Sequence, residues 1–332
     1  MPEPVGHRPE FAAFTARFPA SARTMVFCQF GIRGAAGAHL DAARRALDGL
    51  LGSEAGPVLV DRAVDISTAA SGQQLALAYW DDQAAYDRWW ASPEVADWWR
   101  DTEADDAVAH WRAVAVIPVE RFESLHSAEA LDNGVSHFVP IELTDKHEYW
   151  GGMRDRIADS SHDALEPVQR MATAETIGNR VSFVNPGNLC LIRTAQDWSR
   201  CAGNERAVYR VDVEPTLRAA ADLLATDVST GCLAASYLQE LGADWVAPIE
   251  RSCVIAWWTS LAHLEQWTIH HLTHKAIFGS FYRLLAAAED GDSALHLWHE
   301  VCVLPEGAVT FEFVNCTPPE HLLSGAAATH RG

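Results

Sequence analysis

Short apolar blocks separated by amphipathic stretches run through the first third of the chain, and their order predicts a layered fold. Residues 24–32 read as a strand, Gly34-Ala35-Ala36-Gly37 interrupts it, and an amphipathic helix follows through Leu51. Residues 75–80 form a second strand, residues 81–90 a helix closing on Trp89-Trp90, and residues 111–118 a third strand. This alternation predicts an α+β layer, with helices covering one face of a mainly antiparallel sheet. Ahead of it, residues 1–22 are rich in Pro, Ala and Arg and read as an irregular arm that docks or wraps. In the centre, residues 137–143 and 189–194 carry strand patterns, and a helix rich in Leu, Ala and Glu runs to about Ala225. The tail after Pro318, with Gly325-Ala326-Ala327-Ala328, reads as poorly ordered.

The pattern repeats. Leu77-Ala78-Tyr79-Trp80 with Ala84-Ala85-Tyr86-Asp87-Arg88-Trp89 resembles Ile255-Ala256-Trp257-Trp258 with Leu261-Ala262-His263-Leu264-Glu265-Gln266-Trp267. Each copy then reaches a matching strand, residues 111–118 and 298–305, with the same Trp-to-Pro spacing. Two segments matching in order predict two fused copies of one α+β unit. The division expected is an arm at 1–22, a first repeat at 23–130, a second at 131–318 and a flexible tail at 319–332. The copies differ where chemistry would sit: His299 stands in place of Arg112, and only the second copy has histidines at 270–274.

Composition narrows the classes. In 332 residues, 48% hydrophobic and 21% charged describes a globular chain with room for two cores. A formal net charge of −20 without a basic stripe argues against nucleic acid as a partner. Seven cysteines, an odd number without a Cys-x-x-Cys pair and partly inside apolar runs, point to buried thiols in a reducing cytoplasm. The N-terminus has no secretory pattern, and no apolar run approaches the ~18–20 residues that span a bilayer.

The candidate chemistry lies in the last third. On one continuous helix, Trp267, His271, His274, Phe278 and Phe281 fall at i, i+4, i+7, i+11 and i+14, on one face. His299 lies on the apolar strand that follows. Imidazole ligates iron well, and aromatic walls suit a flat macrocycle better than a hydrated ion. Packed or exposed histidines would explain the same residues without chemistry. His270 and His274 have the spacing of a helical zinc pair, but the glutamate a metalloprotease needs after the first histidine is absent. Phosphate-binding and nucleophile-elbow motifs are absent as well. Arg154-Asp155-Arg156 reads either as a solvated turn or as a pocket cation, with Glu123 its possible carboxylate partner. Thr194, at a strand end, reads as a cap for the helix that follows.

Taken together, these stretches resemble the haem-containing aldoxime dehydratases. The likeness runs in order from Ala91-Ser92-Pro93-Glu94-Val95 and Trp98-Trp99 through Arg121-Phe122-Glu123-Ser124-Leu125 and Tyr149-Trp150-Gly151-Gly152-Met153-Arg154-Asp155-Arg156. It continues through residues 191–198, Thr273-His274 with Ile277-Phe278, and Leu297-Trp298-His299-Glu300-Val301, to residues 311–316. The resemblance implies a duplicated ferredoxin-like unit of the dimeric α+β barrel type, with antiparallel sheets covered by helices. It further implies haem b, ferrous when active, a small-molecule aldoxime substrate turned into a nitrile, and a homodimer. By position, His274 matches the axial iron ligand, His299 the distal acid–base residue, Arg156 its neighbour with Arg154 the runner-up, and Glu123 the supporting carboxylate. Thr194 falls where the family often has serine, and Leu272 where proline is common. A peroxidase of the chlorite dismutase or dye-decolorising type, and a non-catalytic haem-binding protein, are the rival readings.

Overall fold

The computed structural model describes residues 3–68, 70, 72–129, 132–168, 174–288 and 293–324. The first unit runs β2 (Thr24–Gly34), α1 (Ala38–Leu51), β3 (Leu59–Asp65), β4 (Gln74–Trp80), α2 (Gln83–Trp90), α3 (Pro93–Asp101) and β5 (Val108–Pro118), after a short β1 (Ala13–Ala16). Next come β6 (Phe122–His126), β7 (Ile141–Thr144), α4 (Gly152–Arg156), β8 (Glu175–Ile177) and β9 (Arg180–Val184). The second unit runs β10 (Leu189–Asp197), α5 (Gly203–Val208), α6 (Glu214–Thr226), β11 (Cys232–Leu241), β12 (Pro248–Trp258), α7 (Leu261–His270), α8 (Leu272–Ala287) and β13 (His296–Leu304). β14 (Val309–Val314) and α9 (Glu320–Ser324) close the described chain.

Both units are β-α-β-β-α-β, with strand orders β5-β2-β4-β3 and β13-β10-β12-β11, and they join through antiparallel pairing of β11 with β3. The described residues form one antiparallel α+β sheet of 14 strands, with helices of both units on its outer face and α9 on the inner one. The expected barrel is not found. The order runs openly from β7 at one edge to β8 at the other. Closure would need β13 to meet β5, yet β13 is taken by β6, and β5 by β14. The sheet curls all the same: Trp257 on β12 packs edge-on against Phe311 on β14, with ring centroids 5.0 Å apart.

The arm contributes a strand: β1 pairs with β6 and β7, and Ala16 N–H donates to Ser124 Oγ at 3.0 Å. The boundary drawn at residue 130 therefore follows a strand, β6, that already pairs with the second unit. The strand expected at 137–143 starts only at Ile141, because Asn133 and Ser136 cap a 3-10 turn at Gly134–His137. The sequence pattern does not predict β3, β6, β8, β9, β11 or β14. Of the tail, residues 325–332 lie outside the described residues.

On the inner face, Arg193 is 1% exposed and ties the units together. It donates to Asp61 (2.7 Å) and Tyr79 (2.9 Å) of the first unit and to Glu240 (3.0 Å) of the second. Tyr79 passes the bond on to Glu300, at 2.6 Å.

Candidate active site

Strand alternation puts Cys190, Ile192 and Thr194 on the outer face of β10 and Leu297, His299, Val301 and Val303 on the same face of β13, with Trp198 and Leu295 just past the strand ends. Apolar packing on this face is divided. Cys190, Trp258, Val301 and Val303 cluster with Leu261 and Leu264 of α7, whereas Trp198, Val254 and Leu295 cluster with Leu284 of α8. Thr194 and His299, register partners in the ladder, sit at the interruption. The first unit shows no such gap; its outer face is one cluster filled by Trp80, Trp89 and their neighbours.

The helical layer breaks at the same place. Trp267 through Phe281 were expected on one helix, but His271 leaves helical geometry (φ −76°, ψ 140°) and separates α7 from α8. Its Nδ1 accepts the Thr273 N–H at 3.3 Å and so caps α8. Leu272 takes the first position of α8, where proline is also accommodated. His270 is exposed at the end of α7 and His271 is engaged as a cap, which leaves His274. His274 Nδ1 donates to the Thr268 carbonyl at 2.6 Å, placing the lone pair on Nε2. Burial pushes its pKa down to about 4, so the ring is neutral at ordinary pH. Trp267, Phe278 and Trp150 surround it, at ring-centroid distances of 4.8, 5.0 and 6.4 Å. A neutral imidazole held from behind by a carbonyl, with aromatic walls, fits an axial ligand of a flat macrocycle. Among the described residues, no three His, Cys, Asp or Glu side chains gather as a ligand set for a bare ion.

Glu123, Arg156 and His299 meet from three elements. Arg156 Nε donates to Glu123 Oε2 at 2.7 Å, while His299 Nε2 lies 3.0 Å from Glu123 Oε1 and 3.1 Å from Arg156 Nη2. The Glu123 side chain is fully buried. Burial alone would raise its pKa, but the facing guanidinium and imidazole more than reverse this and hold it below the usual carboxylate range. The carboxylate is therefore ionised, and an Nε2–H on His299 would have an acceptor ready.

The loop before α4 aims Arg156. Gly151 has φ 134°, and a Cβ on Gly152 would lie 2.8 Å from the Lys146 carbonyl oxygen, so both positions require glycine. That same carbonyl accepts from Arg156, and Tyr149 donates to Asp155 at 2.8 Å. Arg154 points elsewhere: Nε and Nη2 grip Glu265 of α7 at 3.0 and 2.7 Å. Arg156, not Arg154, is thus the neighbour of His299. Glu265 and Thr268 went unnoticed in the sequence, because neither a surface glutamate nor a backbone carbonyl announces its partner.

The residues of the first unit that match the site are spoken for. Counting from the helix caps Ser92 and His271, Val95 takes the place of His274 and is buried. Arg112 takes the place of His299; it pairs with Glu312, donates to Tyr86 at 2.9 Å and lies 3.5 Å from the Trp90 ring centroid.

Comparison with known proteins identifies the family. The family model described as haem-containing dehydratase matches residues 28–319. The phenylacetaldoxime dehydratase of Bacillus sp. (strain OxB-1) is 41% identical over 330 residues, covering 96% of this chain and 92% of that protein. The aliphatic aldoxime dehydratase of Pseudomonas chlororaphis is 30% identical over 333 residues, with 97% and 93% covered. A crystal structure of an aldoxime dehydratase in complex with butyraldoxime superposes with a TM-score of 0.89 at 27% identity, over 97% of this chain and 91% of that one. The chain belongs to the haem-containing dehydratase family.

Proposed function

We propose that this protein is a lyase that dehydrates aldoximes, R–CH=N–OH, to nitriles, with haem b on His274 and with His299 as acid and base. The observation that carries this reading is the Glu123–Arg156–His299 cluster, set at a gap in the outer-face packing of the haem-binding unit. When bound, ferrous haem would supply an iron that takes the oxime nitrogen and feeds electron density into the N–O bond. Side chains do the rest. Hydroxide is a poor leaving group, so the oxygen needs a proton as the N–O pair moves onto it. With Nε2–H turned to Glu123, His299 gives the proton from Nδ1, and water leaves. The neutral ring then takes the proton from carbon, whose C–H electrons complete the C≡N bond. One aldoxime thus gives one nitrile and one water, and His299 regains its starting charge.

Arg156 keeps Glu123 ionised, and Glu123 keeps the His299 ring in one tautomer, as the aspartate of a catalytic triad does. Thr194 lies beside His299 in the ladder, with its hydroxyl available to orient the oxime OH. A homodimer in the cytoplasm belongs to the same reading; the dimer rests on the resemblance, and the compartment on seven free cysteines, six of them buried. No helix among the described residues is long and apolar enough to cross a membrane.

The direct test is single-turnover chemistry with haem-loaded, dithionite-reduced protein and phenylacetaldoxime. The haem band should shift and then relax as phenylacetonitrile appears; a haem spectrum indifferent to aldoxime, with no nitrile formed, would overturn the proposal. Because Val95 and Arg112 fill the matching positions in the first unit, titration should end at one haem per chain. His274→Ala should lose the haem band or leave haem loosely held, read by spectral titration against the wild type.

A further inference from the structure

We infer that the inner face of the sheet holds a second small-molecule site, for an apolar ligand that ends in a hydrogen-bond acceptor. A cavity of about 400 Å³ opens there, walled by Leu75, Trp111, Ile255, Trp257, Phe311 and Phe313. It lies behind the strands that carry the haem site: on β12, Ile255 and Trp257 face inward, whereas Val254, Ala256 and Trp258 face outward. This size suits a small organic molecule.

Gln29 lines the cavity and is 3% exposed, and its amide nitrogen is buried without a hydrogen-bond partner among the described residues. Buried donors are almost always paired, so an open one in an aromatic cavity asks for an acceptor from outside the chain. Gly31, next on the same face of β2, has no Cβ because the Trp111 indole lies against its backbone. Arg33 follows at the exposed mouth, with Glu320 and His321 of α9. The site thus has an unpartnered donor inside, apolar walls and a polar entrance.

A nitrile matches it, since it presents a terminal acceptor and no donor on an apolar body. This choice of ligand rests on the proposed function, whereas the site does not. The test is infrared titration of the reduced, haem-loaded protein with phenylacetonitrile, with carbon monoxide holding the iron. A saturable, hydrogen-bonded C≡N band at one per chain is expected, unaffected by carbon monoxide. Gln29→Leu should weaken binding about fivefold, the worth of one neutral hydrogen bond, and move the band to its position in apolar solvent. Aldoxime turnover in that variant should stay at the wild-type level. No saturable band, a band that carbon monoxide abolishes, or a frequency unchanged in Gln29→Leu would overturn the inference. A band that behaves as expected in a protein without turnover would retain the site and remove the function.

Discussion

Replacing His299 with alanine is expected to lower the rate of nitrile formation by about 10²–10⁴, the range for loss of a general acid–base group, while haem stays bound. The two effects separate because the residues stand on different elements. His274 is held by Thr268 within the α7–α8 corner, through a hydrogen bond in which His299 takes no part. On the other side, removing the imidazole leaves the Arg156–Glu123 pair intact at 2.7 Å, so no buried charge loses its partner. Measuring kcat beside the haem spectrum decides the matter. An unchanged spectrum with lost turnover supports the assignment, and partial rescue by added imidazole would strengthen it. Near-normal activity in His299→Ala would remove His299 from the chemistry.

Arg193→Met should produce the largest loss of stability, about 3–5 kcal/mol, the usual result of breaking a buried ion pair from one side. Asp61 and Glu240 would remain buried at 5% and 1% exposure, with Arg251 their remaining cation in this cluster. A drop in Tm on the order of 10 °C should follow. The pH dependence carries a definite sign. In the intact protein, burial raises the Glu240 pKa to about 7; Asp61 adds to this, and Arg193 and Arg251 oppose it. Loss of Arg193 should raise it further. A carboxyl whose pKa is higher folded than unfolded contributes stability at low pH and loses it as pH climbs through the folded value. The variant's deficit against the wild type should therefore be smaller at pH 5 than at pH 8. A Tm at pH 8 within 2 °C of the wild type would mean that the network can be dispensed with.

The paired indoles made the duplication readable, because Trp80 and Trp89 recur as Trp258 and Trp267 at the same spacing and residues so large tolerate few placements. His274 stood out through its aromatic neighbours. The break at His271 did not, since a histidine can continue a helix as readily as cap one, and the choice depends on a hydrogen bond to Thr273. A pairing of Glu123 with an arginine of residues 154–156 was open from the residues, but the choice of Arg156 and its meeting with His299 came from family likeness; three side chains from β6, α4 and β13 share no period that a pattern could reveal. Closure of the sheet was misjudged for a related reason. β6 and β14 lie outside the repeating pattern, and it is these strands that occupy the edges a barrel would have joined.

Those added strands bear on how the chain reaches its native state. Glu312 on β14 pairs with Arg112 on β5, 200 residues earlier in the chain, and β6 lies between β1 near the N-terminus and β13 near the C-terminus. Contacts so distant in sequence slow folding, since a long loop must close before they form. On the ribosome, the second half could not complete its sheet until residue 304 had emerged, nor the first until residue 314, and the early strands would present open edges while they waited. Halves expressed separately should therefore aggregate, whereas co-expression would let them reassemble.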